Sequence, residues 1–141
     1  LTVDINPDVV STVSMEHWEK SNTLAQPLVF LSGDAHEIVA KLAEMPEMQN
    51  SFDLVFIDAD KAGYPKYYEA AVKLLAPEGI VALDNILWKS HVAEMLNEET
   101  AKQADQTTKI LHSVNERIQN DPRVDNICLP IGDGLQMVRK L

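Results

Sequence analysis

The sequence predicts an α/β domain in which a mostly parallel sheet is covered by helices and ends in an antiparallel C-terminal hairpin. Residues 52–58, Phe-Asp-Leu-Val-Phe-Ile-Asp, form an apolar run that stops at an acid. Residues 79–85, Gly-Ile-Val-Ala-Leu-Asp-Asn, repeat the pattern after a stretch of helical periodicity. Consecutive apolar positions, as at 54–57, are expected of strands buried on both faces, the habit of parallel sheets sandwiched between helices. The tail differs: residues 124–130 and 135–140 flank the turn Ile131-Gly132-Asp133-Gly134 and read as a hairpin.

The remaining elements follow in order. Residues 1–5 read as a short strand, and Asn6-Pro7 as a cap followed by proline at the first helical position. A helix is expected over 7–22, with Val9, Val10, Val13 and Trp18 on a loose apolar stripe, then a strand over 28–31. Asp34 can cap a helix over 35–43 that turns Ile38, Val39 and Leu42 inward, and 45–51 is a loop. Tyr68, Ala71, Val72 and Leu75 have the spacing of a buried helix face over 64–75, which Pro77-Glu78-Gly79 stops. Residues 86–99 read as an irregular polar lid, and 100–119 as the longest helix, with Ile110, Leu111, Val114 and Ile118 on one face.

All 141 residues, at 45% hydrophobic content, are expected to form a single domain with its own core. The balance of 12 basic and 22 acidic side chains gives a formal charge of -10, which argues against nucleic acid and anionic membrane as partners and welcomes a divalent cation. The one cysteine, Cys128, excludes an internal disulfide, fits a reducing compartment and is expected as a small buried apolar group. No run approaches the roughly 20 apolar residues that span a bilayer, and no signal-peptide layout is seen, so a cytoplasmic location is expected. The sequence opens at Leu1, without a methionine and already strand-like, so further upstream sequence is expected.

The chemistry-bearing residues gather where the strands end. Asp58, Asp60 and Lys61 follow the first apolar run and Asp84 and Asn85 the second. Carboxyl ends of strands are where open α/β sheets bind ligands. Three carboxylates, an amide oxygen and an ammonium would then face one spot.

Phe52 through Trp88, FDLVFIDADKAGYPKYYEAAVKLLAPEGIVALDNILW, and the closing LPIGDGLQMVRK resemble the cation-dependent, S-adenosylmethionine-dependent O-methyltransferases, the caffeoyl-CoA, catechol and bacterial small-molecule group. The resemblance implies a class I methyltransferase (Rossmann-like) sheet that lacks its first strand and N-terminal helices, residues 1–141 being the C-terminal portion of such an enzyme. It implies a divalent cation, Mg²⁺, Ca²⁺ or Mn²⁺, on Asp58, Asp84 and Asn85, whose hard oxygens suit it. That cation would bind vicinal oxygens of a catechol-like acceptor and ease loss of the hydroxyl proton. Lys61 takes the general-base position, and Asp4, Asp34, Ala35, His36 and Asp58 the cofactor positions: Asp4 for the ribose hydroxyls, Asp34 and Ala35 for the adenine, Asp58 near the methionine end. Trp88 would pack on the aromatic substrate, and a homodimer is implied.

The family's absent strand would lie centrally, between those beginning near Leu1 and Phe52, so unpaired edges are expected there, with weak cofactor binding by 1–141 alone. Plainer readings stand beside these. Aspartates at strand ends commonly cap the next helix, and Asp34 alone favours a cap. Tyr64, Tyr67 and Tyr68 read as helix-face packing. Two other functions remain open at this stage: a catalytically silent chain kept for assembly, and a Mg²⁺-binding phosphoacceptor receiver. The receiver would need an acidic pair after its first strand, where only Asp4 stands.

Overall fold

The computed structural model describes residues 1–9, 17, 20 and 29–141. Strands β1 (Thr2–Asp4) and β2 (Phe30–Ser32) pair in parallel as a small sheet. A second sheet holds β3 (Phe52–Ile57), β4 (Leu75–Asp84), β5 (Val124–Leu129) and β6 (Leu135–Lys140) in the spatial order β3-β4-β6-β5. β3 and β4 run parallel, and the hairpin inserts its second strand, β6, antiparallel between β4 and β5. This is the expected α/β sheet with an antiparallel C-terminal hairpin. Among the described residues β1 pairs with β2 alone and β3 with β4 alone, so both present a free edge, as the resemblance implied.

The helices are α1 (Pro7–Val9), α2 (Ala35–Glu44), α3 (Tyr64–Leu74), α4 (His91–Glu94), α5 (Glu98–Gln103) and α6 (Gln106–Gln119). Asn6 starts α1 as expected, its side-chain oxygen accepting from the Asp8 amide at 3.0 Å. His17 and Lys20 are helical too, while the inward positions expected at Val10, Val13 and Trp18, and the strand start at Leu28, lie outside the described residues.

α3 follows its sequence pattern most closely. Tyr64, Tyr68, Ala71 and Val72 bury against β3, β4 and β6 through Ile57, Val81, Leu83 and Val138, while Leu75, expected on the same helix face, is buried as the first residue of β4. Ala70 and Leu74, on another side of α3, meet Ala43 of α2, so α3 is wedged between α2 and the sheet. Leu111, Val114 and Ile118 of α6, spaced i, i+3 and i+7, complete the same core. Fully burying each such aliphatic side chain contributes roughly 1.5–3 kcal/mol. Gly79 permits the entry of β4 beside β3, because a Cβ there would lie 2.9 Å from the Phe52 carbonyl oxygen.

Four expectations need correction. β3 is not buried on both faces: Ile57 is 6% exposed, but Leu54 and Phe56 are each 60% exposed, because no described element covers the face to which they point. The long helix does not begin at Thr100. Asp105 interrupts it, its carboxylate accepting from the Thr108 amide at 2.7 Å and capping α6, while α5 ends at Gln103. Residues 86–99 are not irregular throughout, since α4 and the start of α5 lie within them. Cys128 is exposed rather than buried, sitting on β5, the last strand of the sheet. Among the described residues no helix is long and apolar enough to cross a membrane.

Candidate functional site

The parallel pairing of β3 with β4 builds the site. Ile57 and Leu83 are register partners, so the next residues, Asp58 and Asp84, leave adjacent strands side by side, at the spacing of about 4.8 Å between neighbouring strands. Asn85 follows with φ 57, a left-handed conformation that asparagine tolerates better than most residues. Its amide donates to Asp84 Oδ1 at 2.7 Å. Lys61 begins a 3-10 turn, Lys61–Gly63, and places Nζ 3.3 Å from Asp58 Oδ1. The structure therefore brings Asp58, Lys61, Asp84 and Asn85 to one edge of the sheet.

Asp60, by contrast, is committed to the turn. Its Oδ2 accepts from the Gly63 amide at 2.9 Å and its Oδ1 from the Tyr67 hydroxyl at 2.6 Å, with His36 Nε2 at 3.5 Å from Oδ2. Burial pushes the Asp60 carboxyl upward, but the Tyr67 and Gly63 hydrogen bonds and nearby His36 outweigh it and hold the group below its ordinary range. The His36 and Tyr67 rings lie 4.7 Å apart between centroids. Gly63 makes that approach possible: a Cβ there would meet the Tyr67 ring at 2.3 Å and His36 Cε1 at 2.8 Å.

Sequence reasoning took Tyr64 for packing alone and missed its hydroxyl. Tyr64 is 0% exposed, and its hydroxyl lies 2.5 Å from Lys61 Nζ, 2.8 Å from the Asp84 carbonyl oxygen and 3.2 Å from that of Ile57. Burial first, then the charges of Asp58, Asp84 and Asp60, push the phenol well above its ordinary pKa. All three carboxylates thus act on one buried oxygen. The only signal in the sequence was the spacing of Tyr64 three residues after Lys61.

Beyond Asp84 the chain is held in unusual backbone geometry, with positive φ at Asn85, Trp88, Lys89 and Ser90. The hairpin turn braces it. The Ile86 amide donates to Gly134 O at 3.0 Å, the Leu87 amide to Asp133 O at 3.0 Å, and the Lys89 amide to Asp133 Oδ1. Gly134, at φ 89, would drive a Cβ into Leu87 at 2.4 Å, which explains the glycine in Gly132-Asp133-Gly134. Trp88 is half-buried and packs on the main core beside this turn.

The expected cofactor residues sit at the ends of β1 and β2. Asp4 pairs in register with Ser32, and its carboxylate accepts from the Asn6 amide at 2.8 Å. Asp34 is the N-cap of α2, its Oδ1 accepting from the His36 amide at 2.7 Å. Ala35 opens α2 and touches the main core, and His36 reaches across to Asp60 and Tyr67. His36 thus ties the start of α2 to the turn that follows β3.

Among the described residues no three His, Cys, Asp or Glu side chains group as a metal site. The candidate set is two carboxylates and an amide, Asp58, Asp84 and Asn85. These are hard oxygen donors that fit Mg²⁺ if solvent or substrate oxygens complete a shell of about six.

Fold and edge together define a Rossmann-like α/β domain with two carboxylates side by side at the carboxyl ends of β3 and β4. The family model described as O-methyltransferase matches residues 1–141, and the chain belongs to that family. It is 32% identical over 140 residues to tricin synthase 2 of Oryza sativa subsp. japonica, covering 94% of this chain and 48% of that protein. It is 35% identical over 134 residues to the probable caffeoyl-CoA O-methyltransferase 3 of Dictyostelium discoideum, covering 88% and 52% respectively. The chain spans about half the length of these curated relatives. The O-methyltransferase from Bacillus cereus in complex with SAH shares the fold, with a TM-score of 0.79 at 23% identity over 99% of this chain and 61% of that one. Family membership displaces the phosphoacceptor-receiver reading.

Proposed function

We propose that the protein takes part in methyl transfer from S-adenosylmethionine to a hydroxyl of a small catechol-like aromatic acceptor, with a divalent cation held by Asp58, Asp84 and Asn85. The observation that carries this reading is the pair of carboxylates at the ends of two directly paired strands, with Lys61 Nζ 3.3 Å from one of them. The names of the curated relatives and the SAH in the Bacillus cereus structure support it.

In this reading Lys61 accepts the acceptor's hydroxyl proton on Nζ, and an O–C bond forms as the C–S bond of the sulfonium breaks. A bound cation supplies Lewis-acid polarisation of the acceptor oxygens. Asp4, Asp34, Ala35 and His36 line the cofactor end, Asp58 lies between cofactor and metal, and Trp88 flanks the aromatic ring. Orientation of the two reactants contributes the largest share, since well-aligned reactants gain about 7–11 kcal/mol over free encounter. The acidic surface fits a small-molecule acceptor in the cytoplasm rather than nucleic acid or membrane, and the active assembly is a homodimer.

Asp58→Ala and Asp84→Ala should each abolish Mg²⁺-stimulated transfer to a catechol and eliminate calorimetric Mg²⁺ binding. Unchanged metal dependence in both variants removes the ligand assignment. The free edges of β1 and β3 favour a second reading, a catalytically silent chain that serves assembly. Metal binding without methyl transfer under any acceptor tested would select it.

A further inference from the structure

We infer that Tyr64 is a positioning residue for Lys61: its buried hydroxyl, more than the Asp58 carboxylate, fixes where the lysine nitrogen sits and which way it points. The inference deepens the methyl-transfer reading and rests on it for its kinetic consequence, but its structural content stands alone.

The hydrogen-bond directions follow from counting donors. A phenol has one hydrogen to give and lone pairs to receive. The Asp84 and Ile57 carbonyl oxygens can only accept, so the Tyr64 hydrogen goes to them, chiefly to Asp84 O at 2.8 Å rather than Ile57 O at 3.2 Å. The 2.5 Å contact with Lys61 must then be an N–H of the lysine donating to the phenol oxygen.

Tyr64 is the stiffer of the two anchors. It is 0% exposed and tied to the ends of both β3 and β4, whereas the Asp58 side chain is 53% exposed and its oxygen lies 3.3 Å from Nζ. Charge-assisted N–H bonds to oxygen are typically about 2.7–2.9 Å, so the Asp58 contact is the looser one. The Lys61 side chain is itself only 13% exposed. A neutral amine with one hydrogen on Tyr64 and the other toward Asp58 has its lone pair at the remaining tetrahedral apex. That apex is where an acceptor hydroxyl must present its proton, so the phenol aims the proposed base.

The test compares Tyr64→Phe with Asp58→Asn, using acetylation of Lys61 by an N-hydroxysuccinimide ester at one fixed pH, read by mass spectrometry. Lys140 is the internal standard, because its Nζ is held elsewhere, 2.8 Å from Leu75 O and 2.7 Å from Asn50 Oδ1. Tyr64→Phe should raise the Lys61 rate several-fold relative to Lys140, whereas Asp58→Asn should change it little. An unchanged ratio in Tyr64→Phe, or a larger rise in Asp58→Asn, overturns the inference; the second variant decides alone if Tyr64→Phe loosens the fold and speeds Lys140 as well. In the kinetic arm Tyr64→Phe should lower kcat up to about 100-fold with little change in either KM, as a misplaced catalytic group does. Added to Lys61→Met it should lower kcat no further. A full further drop in the Lys61→Met background also overturns it. Absence of methyl transfer in the unmutated protein would sink the proposed function instead, and the labelling would still decide the role of Tyr64.

Discussion

The two faces of the four-stranded sheet are built from similar residues and meet different fates. On one face Val55, Ile57, Val81, Leu83 and Val138 pack under α3 and α6. On the other, Phe56, Ala82, Met137 and Ile127 lie in one register row across all four strands, with Phe56 60% and Ile127 57% exposed on the outer strands and the small Ala82 at 8% between them. Neighbours Phe56 and Ile57 thus stand at opposite extremes of burial. What separates the faces is only which helices are there to cover them. Strand character is written in the strand itself, whereas burial is written in whatever packs against it.

The largest effect should come from this contrast. Ile57→Ala should cost about 3 kcal/mol in urea denaturation, the usual range for emptying a well-packed aliphatic site. Phe56→Ala should cost under about 1 kcal/mol, because the ring leaves mostly solvent. Equal losses would mean that the open face is covered in solution and would break the comparison.

A polar clamp at the rim of the covered face gives the next effect. Asp121 receives the Tyr68 hydroxyl at 2.9 Å and the Arg123 guanidinium at 2.5 Å, while Glu69 holds Arg123 and Arg117 at 2.8 and 2.7 Å. The Asp121 side chain is 6% exposed, so Asp121→Ala would strand a buried tyrosine hydroxyl and should cost about 2 kcal/mol. Hydrogen bonds from Arg123 chiefly, against an opposing push from burial, hold the Asp121 carboxyl well below the ordinary range. A carboxyl depressed in the folded state contributes stability above its unfolded value of about 3.9 and loses it as pH falls through the folded value. The protein should therefore destabilise more steeply below about pH 4 than Asp121→Asn does, measured as the shift in denaturation midpoint with pH. Identical acid limbs would show that the clamp contributes nothing to the covered face.

The same contrast sets how much could be read from residues alone. α3 was legible because its pattern at Tyr68, Ala71 and Val72 is set by direct contact with strands next to it in sequence. The metal-binding candidates were legible because Asp58 and Asp84 each terminate an apolar run, and parallel pairing brings such ends together. The exposure of Leu54 and Phe56 was not legible, since nothing local records a missing cover. Nor was the break at Asp105, where one cap overrides a continuous helical pattern, or the hydroxyl of Tyr64, whose ring fits a packing role so well that its polar end goes unnoticed. Asp34 drew two expectations, a cap from its place before α2 and a cofactor position from the resemblance, and the cap is the one visible as a bond.

That double reading of Asp34 yields the smallest effect and extends the comparison to the β1–β2 sheet. The sheet has three-residue strands and no residue as buried as those of β4. Its stability should rest on local bonds such as the cap on α2. Asp34→Ala should cost about 1 kcal/mol, the usual loss of an N-cap, and should raise the KM for S-adenosylmethionine. Asp34→Asn separates the two roles, because asparagine caps a helix about as well as aspartate but carries no charge. If the carboxylate serves only as a cap, the Asp34→Asn variant keeps both stability and KM at their original values. If it also receives a hydrogen bond from the cofactor as an anion, stability is kept while KM rises, since exchanging a charged acceptor for a neutral one weakens the bond by roughly half. Retention of both would confine the functional edge to the larger sheet and leave β1–β2 a purely structural flank.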